Sequence, residues 1–437
     1  MRRAIVAAAA ASVLVSAPAA SATRYASPTG KASACNAAQP CTLERALEKS
    51  GCGDTVTASA GTYGGIKIEG RACGRDKPLV VESSVPDGAV IEVSAGVGIS
   101  LASSDYVTVR NFRINQHNGA SSGVQVNGGR GIRLQKLHVL GDSTTCNSES
   151  GIGDHVYAFD TVGLVIDGVN VGKIENGECN YKEENNCFTL LRNSKLTLQG
   201  STCHDIRNFG NFSNSSDLVI QDNVVINQHN HGMGMVDVTN ALVQRNVYYA
   251  TSHATNIADV LWLVCSHNVN FRNNLVQGTK EFPVSAFTSH PNCSNSANTD
   301  KTSHDWKDND AIVHSNNIYI DQTNDGDGQA IALWNGNWAP GTPFRSDYNM
   351  YNGNNFVGRF EPANFTSLEK WKGATVLGLK QDLHSSVKRP TFVNEAARDY
   401  RPANATSPQV DAGDDANCAN KIVGAHCDIG PFEYAGK

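Results

Sequence analysis

Short alternations of apolar and polar residues recur along the chain with one shape: apolar, any residue, apolar, any residue, and then a small or polar residue, often asparagine. Eight such segments begin at Val107, Ile132, Leu164, Leu196, Leu218, Ala241, Val269 and Ile312. Alternation with a period of two predicts strands that have one buried face. The basic spacing, seen between Leu196 and Leu218 and lengthened elsewhere by insertions, is typical of a β-solenoid, whose coils bury their inward side chains against each other.

This pattern resembles the right-handed parallel β-helix of the pectate lyase superfamily. The opening stretch from Arg24 to Tyr63 and the closing motif DIGPFEY, Asp428 to Tyr434, resemble the two ends of secreted members. In the opening stretch, Thr42 is expected to cap a short helix, LERALEK, that covers the open end of the stack. The resemblance implies an all-β fold: a right-handed parallel β-helix solenoid with an N-terminal capping helix and long loop insertions.

The resemblance does not fix the reaction. The superfamily includes polysaccharide lyases, glycoside hydrolases, epimerases and non-catalytic adhesins. The WxDH-type motif and the RxPxxR stretch of pectate lyases are absent from this sequence. A pectate substrate is therefore not implied by the motifs that carry the resemblance.

The sequence predicts a signal peptide followed by one domain. Residues 1–22 have a charged start, an apolar run and a small-residue ending, which predicts cleavage before Thr23. Residues 23–437 are predicted to form one β-helix domain, with an N-terminal cap at about 23–75, coils at about 76–352 and a C-terminal region at about 353–437. The apolar run is too short and too rich in alanine for a membrane span. We expect a secreted or periplasmic protein without a membrane partner.

Charge and cysteine content narrow the class of protein further. The formal net charge of −6 disfavours nucleic acid as a partner, because nucleic acid needs a basic face. An acidic polysaccharide remains compatible, since a few basic residues in a cleft can oppose the global sign. We expect the protein to be a monomer. All 12 cysteines follow the predicted cleavage site, and an even number in an exported chain favours disulfides.

Four disulfides are predicted from close pairs in the sequence, and the rest are left open. The predicted pairs are Cys35 with Cys41, Cys52 with Cys73, Cys265 with Cys293, and Cys418 with Cys427. The connectivity among four further cysteines is open: Cys146, Cys179, Cys187 and Cys203. No CxxC pair is present in the sequence, which disfavours a zinc knuckle.

In such β-helices, the strand that precedes each repeat segment usually carries the substrate groove. Alternation along these strands assigns an inward row: Phe188, Leu190, Met233, Met235, Leu261 and Leu263. The opposite parity gives an outward row: Gln125, Asn127, Tyr157, Phe159, Thr189, Asn211, Ser213 and Trp262. This mixture of aromatics, amides and hydroxyls indicates a carbohydrate-binding groove. An ordinary solvated sheet is the alternative.

His229 and His231 lie in the turn that enters one of these strands. Three roles are compatible with their spacing: a metal pair, hydrogen bonding to the turn backbone, and proton transfer near neutral pH. A structural zinc site needs about four ligands, and the sequence provides no partner cluster. His204, Asp205 and Arg207 are expected one coil away from this turn.

The far ends of the same strands predict a second row of polar residues: Asp160, Arg192, Asn214 and Asp237. Asp160 and Arg192 are separated by one coil and are expected to touch. The row is either an ion pair and a polar ladder that hold the stack, or a charged rim that grips a uronate carboxylate. Arginine suits the second task because its fork binds carboxylates in a bidentate manner.

Three insertions are expected to wall the groove, at residues 141–154, 174–186 and 290–310. The first two bring acidic side chains together, and Asp154, Glu183 and Glu184 are candidate Ca²⁺ ligands. A solvated acidic loop pinned by disulfides is the alternative. The third insertion offers Lys301, His304, Asp305, Trp306 and Lys307 as a lid or subsite.

The predicted function is cleavage of an acidic polysaccharide by β-elimination. The candidate catalytic residues are His231, Arg207, His204, Arg192 and Tyr181, and the candidate substrate-binding residues are Tyr157, Asp160, Asn211, His229, Asp237 and Trp262. A C5-epimerase would need nearly the same groups. A glycoside hydrolase would need two carboxyls, and Asp160, Asp205, Asp237 and Asp259 are available. A non-catalytic glycan-binding protein is a third alternative.

Overall fold

A computed structural model describes residues 21–117, 120–141, 154–173, 186–228, 231–249, 259–278, 284–287, 311–321, 331–333, 344–352, 358–360 and 363–436. Over these residues the chain winds into successive coils, and each coil contributes one strand to each of three long sheets, which we name A, B and C. Neighbouring coils pair in parallel in all three sheets. The predicted right-handed parallel β-helix is confirmed.

Sheet A carries the strands predicted to line the groove. Its strands are β4 (Ile66–Glu69), β7 (Gly96–Ala102), β10 (Ala120–Asn127), β13 (Val156–Phe159), β16 (Asn186–Leu191), β19 (Asn208–Ser213), β22 (His231–Val236), β25 (Asp259–Val264), β28 (Val284–Phe287), β31 (Ile331–Leu333), β34 (Gly358–Phe360) and β35 (Ala363–Phe365). The last of these, β35, is antiparallel to its neighbour.

Sheets B and C complete each coil. Sheet B contains β1 (Thr23–Ala26), β2 (Thr55–Ala58), β5 (Leu79–Ser83), β8 (Val107–Arg110), β11 (Arg133–Gln135), β14 (Val165–Asp167), β17 (Thr197–Gln199), β20 (Ser216–Gln221), β23 (Thr239–Gln244), β26 (His267–Arg272), β29 (Ile312–Ser315) and β32 (Phe344–Asp347). Sheet C contains β3 (Gly61–Tyr63), β6 (Ala89–Val93), β9 (Arg113–Gln116), β12 (His138–Gly141), β15 (Asn170–Lys173), β18 (Thr202–His204), β21 (Val224–Ile226), β24 (Val247–Tyr249), β27 (Leu275–Gln277), β30 (Ile318–Ile320) and β33 (Met350–Asn352). Because β2, β3 and β4 already belong to the three sheets, the stack includes residues that the sequence assigned to the N-terminal cap.

The core consists of inward rows that run along the helix axis. In sheet B, residues Leu134, Ile166, Leu198, Ile220, Val243 and Phe271 stand in register on successive strands, and all are fully buried. Burying a side chain of this size stabilises the fold by about 1.5–3 kcal/mol. Since each coil buries its row only against the coils above and below, stability is built up along the stack.

The corner between sheets B and C explains the asparagine of the repeat. At nine successive corners of the described chain, from β8–β9 to β32–β33, the connection is two residues long. The first residue is left-handed, as at Asp222 (φ 57°) and Asn273 (φ 50°), which Asp, Asn and Gly tolerate best. The second residue points inward and is fully buried, as at Asn246 and Asn274.

Five of these inward corner residues form a ladder of side-chain amides: Asn223, Asn246, Asn274, Asn317 and Asn349. Each Oδ1 accepts the backbone N–H of the corner residue in the preceding coil, which is Ser201 for Asn223 and an asparagine for the other four, as from Asn246 N to Asn274 Oδ1 at 2.9 Å. The Nδ2 group donates along the same ladder and to backbone carbonyls, as from Asn274 to Val243 O at 3.1 Å. A buried polar group must be paired in this way because an unmade bond costs about 1–3 kcal/mol.

Both ends of the stack are covered. At the N-terminal end, helix α1 (Leu43–Lys49) begins at the predicted cap Thr42, whose side chain accepts the Arg45 N–H. At the C-terminal end, helix α2 (Leu368–Gly373) buries Trp371, whose Nε1 donates to Asp382 Oδ2 at 2.9 Å. Among the described residues, no helix is long and apolar enough to span a bilayer.

The chain after α2 returns along the outside of the stack. It contains an antiparallel pair, β36 (Phe392–Asn394) and β37 (Asp399–Pro402), and two short 3₁₀ turns at Glu395–Ala397 and Asp415–Asn417. The closing motif packs on the B–C corner, where Asn273 Nδ2 donates to the carbonyls of Asp428 and Gly430 at 3.0 and 2.9 Å.

Disulfides connect neighbouring segments. The predicted pairs Cys35–Cys41, Cys52–Cys73 and Cys418–Cys427 are confirmed. Cys187 and Cys203, whose partners the sequence left open, form a fourth disulfide between sheets A and C. Cys265 is disulfide-bonded, while its predicted partner Cys293, together with Cys146 and Cys179, lies outside the described residues.

Candidate functional site on sheet A

Exposure along sheet A follows the predicted alternation. The inward residues Phe188, Leu190, Met233, Met235, Leu261 and Leu263 are fully buried. On the outward parity, Gln125, Tyr157, Thr189 and Asn211 stand opposite one another on four successive strands. Thr189 is the exception in exposure: it is only 6 % exposed, and its Oγ1 accepts the Asn186 Nδ2 at 2.9 Å. Sheet A therefore offers a mainly polar face with aromatic residues at separated coils.

His231 and Trp262 form a stacked pair on this face. Their ring centroids are 5.5 Å apart and their planes differ by 18°. Trp262 pairs in register with Gly234 on the neighbouring strand, and a Cβ at Gly234 would lie 3.3 Å from Trp262 Cε3. The missing side chain at Gly234 lets the indole lie across the adjacent strand. The two methionines that follow His231 belong to the core, and His229 lies outside the described residues.

A ladder of side-chain hydrogen bonds leads to His231 across four coils. The Asn186 Nδ2 donates to Asp154 Oδ1 at 3.0 Å, and the Asn208 Nδ2 donates to Asn186 Oδ1 at 2.8 Å. The backbone N–H of His231 then donates to Asn208 Oδ1 at 3.0 Å. We name these four residues the C–A ladder, because each lies where the chain passes from sheet C to sheet A.

Sequence reasoning missed Asn186 and Asn208. The signal was present, because Asn186, Asn208 and His231 are spaced by one basic coil length and each begins a strand of sheet A. Asn186 is 9 % exposed, so its amide must find partners within the protein.

Arg207 and His204 lie at the same corner but in different surroundings. Arg207 directly precedes Asn208 and is half-buried, and within the described part of the chain it has neither a hydrogen bond nor an ion pair. His204 ends β18 on sheet C, and its imidazole lies over Gly172, where a Cβ would be 2.2 Å from the ring. Its Nδ1 is 3.2 Å from Asp205 Oδ2, and Asp205 Oδ1 accepts the Asn227 Nδ2 at 2.8 Å. His204 is thus connected to the turn before His231, as predicted, through the hydrogen bonds of Asp205 and Asn227.

The rim residues Asp160, Arg192, Asn214 and Asp237 occupy equivalent left-handed positions where sheet A passes into sheet B, with φ between 50° and 56°. Arg192 forms the predicted contact with Asp160: its Nε lies 2.6 Å from Asp160 Oδ1, and its Nη2 meets Oδ2. The guanidinium also lies 4.1 Å from the centroid of the Phe159 ring. Both partners are more than a third exposed, so the pair contributes little to stability.

Two groups near the ladder have shifted pKa values. Burial raises the pKa of Tyr157, and the Asp154 carboxylate adds to the shift while Arg192 opposes it. Tyr157 therefore keeps its proton and can donate a hydrogen bond to a ligand. Burial also lowers the pKa of His155 to about 4, and the neighbouring His204 adds to the shift. His155, which the sequence did not distinguish from an exposed histidine, is a neutral core residue.

The residues described here do not by themselves fit a Ca²⁺ site. Asp154 is engaged with Asn186, and Glu183, Glu184 and Tyr181 lie outside the described residues. Over the described ranges, the one group of three acidic, histidine or cysteine side chains close enough to share an ion is Cys418, Cys427 and Glu433. Since the two cysteines are joined in a disulfide, that group offers no metal site either.

Comparisons with known proteins establish the architecture. No family model matches the chain, and no curated protein sequence matches it. The crystal structure of pectate lyase Pel9A is similar, with a TM-score of 0.56 and 12 % identity over 95 % of this chain and 97 % of that chain. The GH136 lacto-N-biosidase from Eubacterium ramulus has a TM-score of 0.51 and 11 % identity, covering 76 % of this chain and 63 % of its own.

The surface adhesin PfbA of Streptococcus pneumoniae is similar to the same degree, with a TM-score of 0.51 and 11 % identity over 70 % of this chain and 78 % of that chain. Identities this low show a shared fold alone. The chain is therefore a parallel β-helix protein, and its architecture is shared by a lyase, a biosidase and an adhesin. The choice among these functions depends on the residues of sheet A.

Proposed function

We propose that the chain is a secreted enzyme that cleaves an acidic, uronate-containing polysaccharide by β-elimination on the exposed face of sheet A. One observation carries the proposal: Arg207, just before β19, and Trp262, on β25, flank the strand β22 that begins at His231. Arg207 has no ion pair among the described residues and adjoins Asn208, which binds the main chain of His231. His231 in turn stacks on Trp262.

Each of these groups suits one requirement of the elimination. Trp262 offers a flat apolar surface for a sugar ring. Arg207 neutralises the uronate carboxylate, which makes the proton at C5 easier to remove. His231 takes that proton as a general base, a role that contributes about 10²- to 10⁴-fold to rates. The electrons of the C5–H bond form the C4–C5 double bond, the C4–O bond breaks, and the leaving oxygen gains a proton.

The remaining predicted residues keep supporting roles within the proposal. Tyr181 is the predicted acid for the leaving oxygen, and His204 is the alternative base. Arg192 is the alternative partner of the carboxylate, although it would have to share its charge with Asp160. The residues proposed to contact sugar hydroxyls or rings along the groove are Tyr157, Asp160, Asn211, His229 and Asp237.

The spacing of Asp160 and Asp237 does not fit the carboxyl pair of a hydrolase. Asp160 and Asp237 occupy equivalent positions three coils apart, since the residues between them are Arg192 and Asn214. At about 4.8 Å per coil, their backbones are about 14 Å apart, whereas hydrolases place their carboxyls about 5–9.5 Å apart. Asp205 is engaged with His204 and Asn227.

Export is part of the proposed function, whereas calcium binding is a separate prediction that the proposed reaction does not require. The leader-like residues 1–22 and the disulfides support a secreted or periplasmic protein. Ca²⁺ binding by Asp154, Glu183 and Glu184 stays a prediction, and no step of the mechanism above uses a metal. The assay should therefore be run with Ca²⁺ and with EDTA.

The test is a panel of uronate polymers: pectate, alginate, glucuronan, chondroitin and hyaluronan. The purified protein is incubated with each polymer, and the ultraviolet absorbance of the unsaturated sugar is followed. We expect a rise on one polymer, and we expect that rise to be lost in His231→Gln and in Arg207→Ala. The matched controls are His138→Gln, a histidine paired with Asp87 on the outer face of sheet C, and Arg133→Ala on sheet B.

New reducing ends without the absorbance would contradict elimination and support a hydrolase. Inversion at C5 without cleavage would support an epimerase. Binding to a polymer without either change would support a non-catalytic glycan-binding protein.

A further inference from the structure

The C–A ladder begins at a carboxylate, which fixes the direction of its first amide. A side-chain amide can be turned either way, because its oxygen and nitrogen have similar shapes and opposite hydrogen-bonding roles. A carboxylate can only accept. Asp154 Oδ1 receives both the backbone N–H and the Nδ2 of Asn186, at 3.3 and 3.0 Å. The Asn186 amide nitrogen must therefore face Asp154.

This orientation is passed along the ladder. With its nitrogen on Asp154 and on Thr189 Oγ1, Asn186 presents its oxygen to Asn208, whose Nδ2 donates to it at 2.8 Å. Asn208 must then present its oxygen to the next coil, where it accepts the backbone N–H of His231 at 3.0 Å. If the first amide turned round, each following amide would have to turn, and an Nδ2 group would face the His231 N–H.

We propose that Asp154 is a positioning residue for His231 and acts on it through Asn186 and Asn208. The proposal rests on the proposed function only where it assigns His231 a role in catalysis. His231 is the first residue of β22, so the bond from Asn208 fixes the main chain at the point where the strand begins. The imidazole that stacks on Trp262 is carried by that main chain.

The ladder predicts an unusual rescue. Asp154→Asn removes the acceptor that fixes the direction, and Asn186→Asp alone places two carboxylates side by side. In the double variant Asp154→Asn/Asn186→Asp, the carboxylate is moved one coil along. There it accepts from Asn208, whose oxygen again faces the His231 N–H. The double variant should therefore restore what each single variant loses.

The first readout is independent of activity. The full chain is labelled with ¹⁵N-histidine, and the hydrogen exchange of each histidine amide is followed by NMR. We expect exchange at His231 to rise about tenfold or more in Asp154→Asn, as local opening becomes easier, and to return in the double variant. The histidine amides elsewhere should be unchanged. Asp87→Asn, at the carboxylate that pairs with His138, is the matched control and should leave exchange at His231 unchanged.

The second readout uses whichever polymer the wild type cleaves. At metal sites, residues that orient a ligand through a hydrogen bond change activity about 10- to 100-fold, and we expect the lower end of that scale here. We expect kcat to fall about tenfold in Asp154→Asn with little change in KM, because substrate contacts remain, and to recover in the double variant.

Unchanged exchange at His231 in Asp154→Asn, or a rise that the double variant does not reverse, would overturn the proposal. If Asp154→Asn fails to fold, wild-type protection of His231 in the double variant supports it and lost protection overturns it. Rescue of exchange in a protein that cleaves no polymer would support the ladder and overturn the lyase instead.

Discussion

Two ladders of asparagine side chains run along this β-helix, and they differ in what lies at their ends. The ladder at the B–C corner is fully buried, joins five asparagines and is bonded to serines, with Ser201 N donating into it and Ser385 Oγ accepting from it. The C–A ladder lies at the edge of the exposed sheet and joins a carboxylate to a histidine. The same device, an amide repeated once per coil, thus holds the stack in one place and, in our proposal, positions a candidate catalytic group in the other.

The largest effect is expected at the end of the C–A ladder, where a substitution should reduce activity and leave stability nearly unchanged. His231→Gln should lower kcat/KM on the cleaved polymer about 10²- to 10⁴-fold, because the general base is lost. Its free energy of unfolding should change by less than about 1 kcal/mol, since the residue is partly exposed. Kinetics and urea unfolding on the same preparation check both parts. A loss of stability that matches the loss of activity would contradict the assigned role.

The converse substitution is Asn274→Ala in the buried ladder. It leaves the Asn246 N–H without its acceptor and removes one of the two acceptors of the Asn246 Nδ2 group, so the free energy of unfolding should fall by about 1–3 kcal/mol. Activity of the folded fraction should be retained. The matched control is Asn364→Ala on the exposed end strand β35, where we expect less than about 0.5 kcal/mol. Equal losses in both variants would show that the buried ladder is not needed for stability.

Acid should destabilise the corner beneath the C–A ladder through His155. The pKa of this histidine is lowered to about 4, below the unfolded value of about 6.5. Its contribution is therefore fully present above about pH 6.5 and is lost as the pH falls towards 4, which amounts to about 3 kcal/mol. Urea unfolding at pH 7 and pH 4.5 measures the loss.

The expected loss should be smaller in His155→Leu, which cannot take up the proton. The control is His384→Gln, because His384 is 58 % exposed in its pair with Asp347. A pH dependence that survives in His155→Leu would assign the acid sensitivity to another buried group, such as His314, whose pKa burial lowers to about 3.

The smallest expected effects are the coupling energies of two ion pairs, which lie at different corners of the coil. Asp160–Arg192 at the A–B corner and Asp222–Arg245 at the B–C corner are both bidentate. Double-mutant cycles with Asp→Asn and Arg→Gln should give coupling of less than about 1 kcal/mol for each pair. Near 1 M salt the coupling should weaken further. Coupling well above this value at Asp160–Arg192 would mean that the pair stabilises the stack and that Arg192 is not available to bind a substrate carboxylate.

The sequence allowed the architecture to be predicted because the stack repeats a local rule. The alternation correctly placed Phe188, Met233 and Leu261 inside, and the cap Thr42 was predicted from its neighbours alone. These are properties of a strand or a helix end, which the nearest residues determine.

The candidate site was predicted only in part because its contacts join different coils. Asn186 and Asn208 become partners only when the register between strands is known, and insertions of different length hide that register in the sequence. His155 shows a second limit: a buried neutral histidine and an exposed one have the same letter, and only packing distinguishes them.

The two-residue B–C corner has a consequence for how such proteins diversify. Its length is constant at nine successive turns, because a longer link would take the inward amide out of the ladder. Over these nine coils, length variation falls at the other two corners, and the connections that lead into sheet A carry the first two insertions. Proteins built on this plan can exchange their loops, or gain a whole coil between one asparagine and the next, while the asparagine ladder at the B–C corner keeps its register. The ladder and the stack that it holds would be inherited unchanged, and substrate preference would change through the loops that fold onto the stack.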